Sequence, residues 1–335
     1  MPVITIEERQ YMKTHRVLFV ALACLGLLLA SPGAGSAASY PSEPIKLLVP
    51  FEAGGSSDIS ARIFAKYAEK ELGGRIAIVN MAGAAGSIAS TEAVQAKPDG
   101  YTLLWHIPTI FTAYHTGTQG FTWDSLTPVA NVARFYKVMV VHKDSPWKTI
   151  NDLIADAKKR PGKIKWGVNI GAGLHFEALG FEDTTGTKFM HVAGGGDAQQ
   201  TTAILGKHID VCTPSDTVVL QYLADGTLRG LGTSGNDRLP TLPDIPTYKE
   251  QGVDFTFWYD LVLYGPPNLP EDIVKRLNEV ARKVTENPEA IAELRKLGMY
   301  PAYLDVNATR EALLDTDVAM YRFARKGGLV PANIE

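Results

Sequence analysis

The chain has 335 residues, of which 45% are hydrophobic and 21% are charged, a composition typical of soluble globular proteins. Its 33 basic and 36 acidic residues leave a formal net charge of −3, which excludes a strongly basic nucleic-acid binder. Because the length exceeds the size at which one hydrophobic core usually stops growing, we expect two lobes.

The first predicted element is an apolar run over residues 17–30, which follows three basic residues. Its 14 uncharged residues are fewer than the ~20 that a spanning helix needs, but they fit the core of a signal peptide. Small residues then suit cleavage near Ala38. We predict that residues 1–39 are a removable export signal. A short uncut membrane anchor and lipidation at Cys24 are the alternatives.

Removal of that segment leaves one cysteine, Cys212, so an intramolecular disulfide is excluded although the compartment is oxidising. Cys212 ends an apolar run, and we interpret it as a buried small hydrophobic residue rather than a nucleophile.

Apolar strands then alternate with helical patterns, an order typical of a parallel sheet covered by helices on both faces. The predicted strands are 45–49, 76–80, 102–106, 138–141, 165–168, 189–192, 209–212, 228–233 and 257–264. The predicted helices are 58–72, 87–96, 150–159, 174–185, 198–205, 217–224, 271–285, 288–297 and 310–326. Thr149 and Asp152 have the spacing of a capping box.

The last predicted strand, 257–264, must pair with a sheet, and only helices are predicted after it. We predict that it returns to the first lobe, which then comprises residues 40–137 and 256–335, with a second lobe of residues 138–255 inserted between them. Two chain crossings between the lobes would form a hinge.

Four loops rich in glycine follow predicted strands and open helices, at 50–58, 80–87, 169–175 and 194–198. Helix N-termini present unpaired N–H groups and a partial positive charge, which suit an anion. No nucleotide-binding glycine motif is present, so we expect a small carboxylate rather than a phosphate.

Four side chains lie at or near predicted helix starts, and two of them, Asp58 and His175, have two interpretations each. Asp58 either pairs with Arg62 four residues on, or it helps to position the loop or binds a cationic or hydroxyl group of the ligand. Asp197 and Asp216 are interpreted first as helix caps. His175 either donates to a carboxylate or packs and satisfies backbone.

Motifs for catalysis are weak. The sequence has no G-x-S-x-G or H-E-x-x-H motif, and the histidines after residue 39 lack close metal-ligand spacing. We therefore expect neither an enzyme, nor a metal, nor a cofactor.

The start of the exported chain carries a family signature. The segments 40–51 (YPSEPIKLLVPF), 54–58 (GGSSD) and 97–103 (KPDGYTL), with 161–163 (PGK) and 243–247 (PDIPT), closely resemble Bug-type periplasmic solute receptors. These are the extracytoplasmic binding components of tripartite tricarboxylate transporters. The similarity covers essentially the whole chain after the export signal.

The resemblance implies a two-lobed α/β fold of the periplasmic-binding-protein type, each lobe a mainly parallel sheet flanked by helices, with the ligand in the cleft. It implies a ligand carboxylate held by two first-lobe loops and selected by second-lobe residues. The first loop would contribute Phe51, Ala53, Gly54, Ser56 and Ser57; the second Gly83, Ala84, Ala85 and Ser87, with Thr109 nearby; the second lobe Gly171, Gly173, His175, Asp197 and Ala198.

Three residues depart from the family's pattern. Glu52 stands where the family often has proline or a small residue, and we expect it to point to solvent. Leu174 stands where a small hydroxyl residue is common, and Asp197 where an apolar residue or proline is usual. Asp197 would repel a second ligand carboxylate, or accept a hydrogen bond from a hydroxyl or ammonium.

We therefore expect a monomeric periplasmic receptor that delivers a small mono- or dicarboxylic acid to a membrane permease. The alternatives are a ligand-dependent partner of a membrane sensor and a periplasmic enzyme that uses the same cleft.

Overall fold

Two β-sheets organise the chain, in a computed structural model that describes residues 40–331. All elements below belong to the compact unit that begins at Glu43. The predicted export signal lies outside the described residues. Within 40–331, no helix is long and apolar enough to cross a membrane.

The first lobe contains the six-stranded sheet. Its strands are β1 (Ile45–Val49), β2 (Ile76–Asn80), β3 (Thr102–His106), β4 (Thr127–Tyr136), β10 (Trp258–Gly265) and β11 (Met299–Leu304), in the order β11-β4-β10-β3-β1-β2. β1 pairs in parallel with β2 and β3, whereas β10 is antiparallel to β3 and β4. β10 therefore lies in one sheet with β1, β2 and β3.

The second lobe contains the five-stranded sheet. Its strands are β5 (Val138–His142), β6 (Lys165–Val168), β7 (Met190–Ala193), β8 (Val211–Cys212) and β9 (Leu228–Thr233), in the order β7-β6-β8-β5-β9. β6 is parallel to β7 and β8, and β5 is antiparallel to β8 and β9. The predicted two-lobed α/β fold is confirmed, but each sheet is mixed rather than mainly parallel, since three of the five strand pairings in the first sheet and two of the four in the second are antiparallel.

Helices connect the strands and cover the sheets. They are α1 (Ser56–Leu72), α2 (Ser87–Gln95), α3 (Thr109–His115), α4 (Ile150–Lys159), α5 (Gly173–Thr185), α6 (Asp197–Leu205), α7 (Asp216–Ala224), α8 (Glu271–Glu286), α9 (Pro288–Arg295) and α10 (Val306–Lys326). The predicted capping box of α4 is confirmed, because the Thr149 side chain accepts from Asp152 N and the Asp152 side chain accepts from Thr149 N.

Two strands and one α-helix of the described residues were not predicted: β4, β11 and α3. In β4 the polar Asn131 interrupts the apolar pattern, but it is buried and donates to Asp260 Oδ1 and to Ala302 O at 2.9 and 2.8 Å. β11 contains Pro301, which is tolerated because this strand lies at the sheet edge. The predicted strand 209–212 is shorter than expected, since only Val211–Cys212 are paired.

The hydrophobic core is continuous between the lobes. One buried cluster includes Leu48 and Leu104 of the first sheet together with Met139 and Trp166 of the second. Cys212 is fully buried in a second cluster, which confirms its interpretation as a core residue. Burial also raises the pKa of its thiol.

Candidate functional site

A cavity of about 420 Å³ is lined by residues from both lobes. This volume lies within the range of small-molecule sites, ~300–1,000 Å³. Its polar wall residues come mainly from three loops that open helices, after β1, after β6 and after β7, and from the chain crossing at β4 and β5. Apolar wall residues include Phe51, Ile107 and Met299.

Three helices begin at this cavity without a capping side chain. The residues at their N-cap positions are Gly55 before α1, Ala172 before α5 and Gly196 before α6. Glycine and alanine have no side-chain oxygen, so the first N–H groups of each helix are available to a bound group. Three of the four predicted glycine loops thus contribute to the wall of one cavity.

Asp58 holds the first loop in place. It is 2% exposed, and its carboxylate accepts from Gly54 N at 2.8 Å, from Arg62 and from Asn80. Asn80 also donates to Phe51 O at 3.1 Å, which fixes the other end of the loop. Hydrogen bonding to Arg62 holds the pKa of Asp58 below its usual value. Of its two interpretations, pairing with Arg62 and positioning the loop are both observed.

Two hydroxyl groups of the wall are buried and unpaired within the described residues, Thr109 Oγ1 and Tyr259 OH. Buried polar groups in folded proteins are almost always hydrogen-bonded, so these two hydroxyls are candidate contacts for a molecule bound in the cavity. Thr109 is the first residue of α3 and Tyr259 lies on β10, so the two hydroxyl groups reach the cavity wall from different elements of the first lobe.

Lys137 is a cavity residue that the sequence analysis did not identify. It is the single residue between β4 and β5 and is 4% exposed. Its ammonium lies 2.9 Å from both carboxylate oxygens of Asp197 and 3.1 Å from Ser215 Oγ. The available signal was a lone lysine between Phe135-Tyr136 and four apolar residues, at the predicted lobe boundary.

The prediction that Asp197 and Asp216 cap their helices is wrong. The N-cap residues of α6 and α7 are Gly196 and Ser215, and each aspartate is the first helical residue. Asp197 instead pairs with Lys137, while Asp216 accepts from Thr241 Oγ1 and Tyr300 OH. Burial opposes the ionisation of Asp197, but Lys137 and Ser215 outweigh it and its pKa lies below the usual value.

The second predicted loop does not reach the wall of this cavity. Gly83, Ala84, Ala85 and Gly86 all have positive φ, and a Cβ at Gly86 would lie 2.9 Å from His106 Nε2, so only glycine fits there. Ser87 Oγ and His106 Nε2 are buried without partners in the described part of the chain.

His175 organises a loop rather than lining the cavity. Its Nδ1 accepts from Gly171 N at 3.2 Å, and its Nε2 lies 3.1 Å from His191 Nδ1. Burial lowers the pKa of His175 to about 4, so the ring is neutral near pH 7. Gly173 does line the cavity, and a Cβ there would lie 2.5 Å from the Tyr259 ring.

The predicted site residues therefore divide into two groups. Those in the cavity wall are Phe51, Ser56, Ser57, Thr109, Gly173 and Asp197. Those outside it are Ala53, Gly54, Gly83, Ala84, Ala85, Ser87, Gly171, His175 and Ala198. Glu52, expected to point to solvent, is exposed but also contributes to the wall, as does Leu174. No group of metal-ligating side chains occurs among residues 40–331.

Comparisons with known proteins point to one family. A family model described as "Tripartite tricarboxylate transporter family receptor" matches residues 60–326. A Cupriavidus necator protein, "UPF0065 protein in gbd 5'region", is 30% identical over 330 residues, which cover 97% of this chain and 99% of that one.

Solved structures agree with this match. The structure of the periplasmic binding protein BugD is 25% identical, with a TM-score of 0.70, and the similarity covers 87% of this chain and 99% of that one. An R. palustris protein solved with adipate is also 25% identical, with a TM-score of 0.73 and the same coverage.

Proposed function

Because the chain belongs to the family of tripartite tricarboxylate transporter receptors and is a solute-binding receptor, we propose that it captures a small carboxylate in the periplasm for uptake by a membrane transporter. The proposal includes a membrane permease as the partner, a monomeric receptor, reversible binding without catalysis, and removal of residues 1–39 on export.

The observation that supports a carboxylate most is that the unpaired Thr109 hydroxyl and the uncapped N-terminus of α1 lie in the wall of the same cavity. Ser56, Ser57 and Thr109 supply hydroxyl groups, and α1 supplies N–H groups, at one side of the cavity. A carboxylate has two acceptor oxygens that such donors satisfy without a cationic partner. The adipate bound by the R. palustris relative is a ligand of this chemical class.

We also propose that ligand binding closes the two lobes. The chain crosses between the sheets at Lys137 and again between β9 and β10. Two crossings are few enough for the connecting residues to act as a hinge. Only ligand contacts that are stronger in the closed state shift the population toward it. In this proposal the lobes are residues 40–137 with 256–335 and residues 138–255, and the predicted second loop, Gly83 to Ser87, contacts ligand on closure.

The first experiment is a thermal-shift screen of residues 40–335 against aliphatic, hydroxylated and aromatic mono- and dicarboxylates. A bound ligand raises the apparent stability by mass action, by about 2.7 kcal/mol at a hundredfold excess over Kd. A protein that none of these acids stabilises would refute the carboxylate proposal.

A matched pair of variants then tests the site with the best acid from the screen. Thr109→Val removes the unpaired cavity hydroxyl, whereas Thr112→Val removes a hydroxyl on the same helix that already donates to Thr109 O. We expect calorimetry to show an affinity about tenfold lower for Thr109→Val and unchanged for Thr112→Val, since a hydrogen bond to a charged group contributes roughly 1.5–3 kcal/mol. Equal affinities for both variants would refute the role of Thr109.

A further inference from the structure

The Lys137–Asp197 pair sits at a fixed place in the cavity wall. Lys137 N donates to Ser234 Oγ, and Ser234 N donates to Lys137 O, each at 3.0 Å, so the backbone at the crossing between the sheets is held from the second lobe. The side chain is buried, with its ammonium 5.4 Å from the Phe135 ring centroid and 5.1 Å from that of Tyr259. The two rings stack on one another at 4.8 Å.

The donors of this ammonium are already used. An ammonium has three N–H groups, and Lys137 Nζ has three acceptors, Asp197 Oδ1, Asp197 Oδ2 and Ser215 Oγ. A ligand carboxylate arriving here would have to displace Asp197 to gain a bond from Lys137. The lysine therefore acts as a partner for Asp197 and not as a free anion anchor.

The acceptors of Asp197 are used unequally. Oδ2 accepts from Lys137, from Ser215 N and from Ser215 Oγ, whereas Oδ1 accepts from Lys137 alone among residues 40–331. The Asp197 side chain is 22% exposed and lines the cavity. A carboxylate oxygen has about two acceptor sites, so Oδ1 retains capacity for a donor from the ligand.

We propose, on the basis of the proposed function, that the ligand is a monocarboxylate whose distal end carries an uncharged hydrogen-bond donor, a hydroxyl or an amide, and that Asp197 selects it against dicarboxylates. The distal donor bonds to Asp197, and the unpaired Tyr259 hydroxyl is positioned in the same wall to complete the contact. Among the described residues that line the cavity, a second carboxylate meets the negative charge of Asp197 and no cationic donor besides Lys137, and such a mismatch is an effective way to exclude a competitor.

The test uses calorimetry on residues 40–335 with matched sets of equal chain length. One set is ω-hydroxybutyrate, succinate and butyrate; the other is ω-hydroxyhexanoate, adipate and hexanoate. In at least one set we expect the hydroxy acid to bind at least tenfold more tightly than the dicarboxylate. A dicarboxylate that binds as tightly as its hydroxy acid in both sets would overturn this inference and leave the proposed function standing. Failure of every carboxylate to bind would overturn both.

A charge-neutral variant provides the second arm. Asp197→Asn keeps the shape but leaves the Lys137 ammonium without a counter-charge, so the preference for the hydroxy acid over the dicarboxylate should fall at least tenfold. Asp216→Asn is the matched control, because Asp216 is also the first residue of a nine-residue helix but lies outside the cavity wall. An unchanged preference in a folded Asp197→Asn variant, or an equal change in the control, would contradict the inference. If Asp197→Asn does not fold, the wild-type ratio alone decides.

Discussion

Asp58 Oδ2 accepts a hydrogen bond of 2.8 Å from the backbone N–H of Gly54, and this contact ties α1 to the loop that precedes it. Gly54 has φ +83, a left-handed conformation that glycine adopts without strain. The loop therefore has its shape before a ligand arrives, and the cost of ordering it does not reduce the binding free energy.

Loss of this contact should weaken both folding and binding. Asp58→Ala leaves Gly54 N without its acceptor and removes one of the two acceptors of Asn80 Nδ2, so we expect the free energy of unfolding to fall by about 2 kcal/mol. Arg62 is half exposed, so its ion pair adds little. Chemical denaturation measures the change. The control is Asp272→Ala, an exposed acid in the first turn of α8, which should cost less than about 1 kcal/mol.

The buried Glu177 should make the free energy of unfolding decrease as the pH rises. Burial raises the pKa of Glu177 from 4.5 to about 8, so between these values the folded state keeps a proton that the unfolded state releases. The free energy of unfolding then decreases with pH by at most ~1.4 kcal/mol per pH unit from this group. Glu177→Gln should flatten that slope in denaturation curves taken from pH 5 to pH 8. Parallel pH profiles for the two proteins would contradict the assignment.

His175 should make the free energy of unfolding decrease as the pH falls. Because burial lowers its pKa from 6.5 to about 4, the unfolded state takes up a proton before the folded state does as the pH falls. The contribution of this residue to stability is therefore lost between pH 6.5 and 4. His175→Asn, which can still accept from Gly171 N, should reduce this loss and change ligand affinity less than about twofold. His175→Leu lacks the acceptor, and we expect it to disturb the loop and weaken binding further.

Cys212 should be inert in the folded protein. Its side chain is fully buried and burial raises the pKa of its thiol, so little thiolate is present to react. In residues 40–335 we expect no alkylation under native conditions and complete alkylation after unfolding, as measured by mass spectrometry. Rapid modification of the folded protein would show that the core around β8 opens readily.

The spacing of apolar residues predicted most strands and helices, because a buried strand and an amphipathic helix each require their own spacing of apolar residues. It missed β4 and β11, since Asn131 and Pro301 break the pattern locally and are accommodated only by tertiary partners and an edge position. Neither the tertiary partners of Asn131 nor the edge position of β11 can be predicted from the amino-acid sequence alone.

The candidate site could be predicted in part, where its residues lie in local sequence motifs. Glycine loops that open helices identified Ser56, Ser57, Gly173 and Asp197 as residues near one cavity. Lys137 was missed because its role depends on a partner 60 residues away, Asp197, and no local motif predicts that pair.

The central claim, capture of a carboxylate, is tested most directly by calorimetry with the tightest-binding acid and its primary amide on residues 40–335. The amide has nearly the same shape but no negative charge. We predict that it binds at least tenfold more weakly than the acid, since charged acceptors form the stronger hydrogen bonds with the donors of the first lobe. An amide that binds as tightly as the acid would contradict the account.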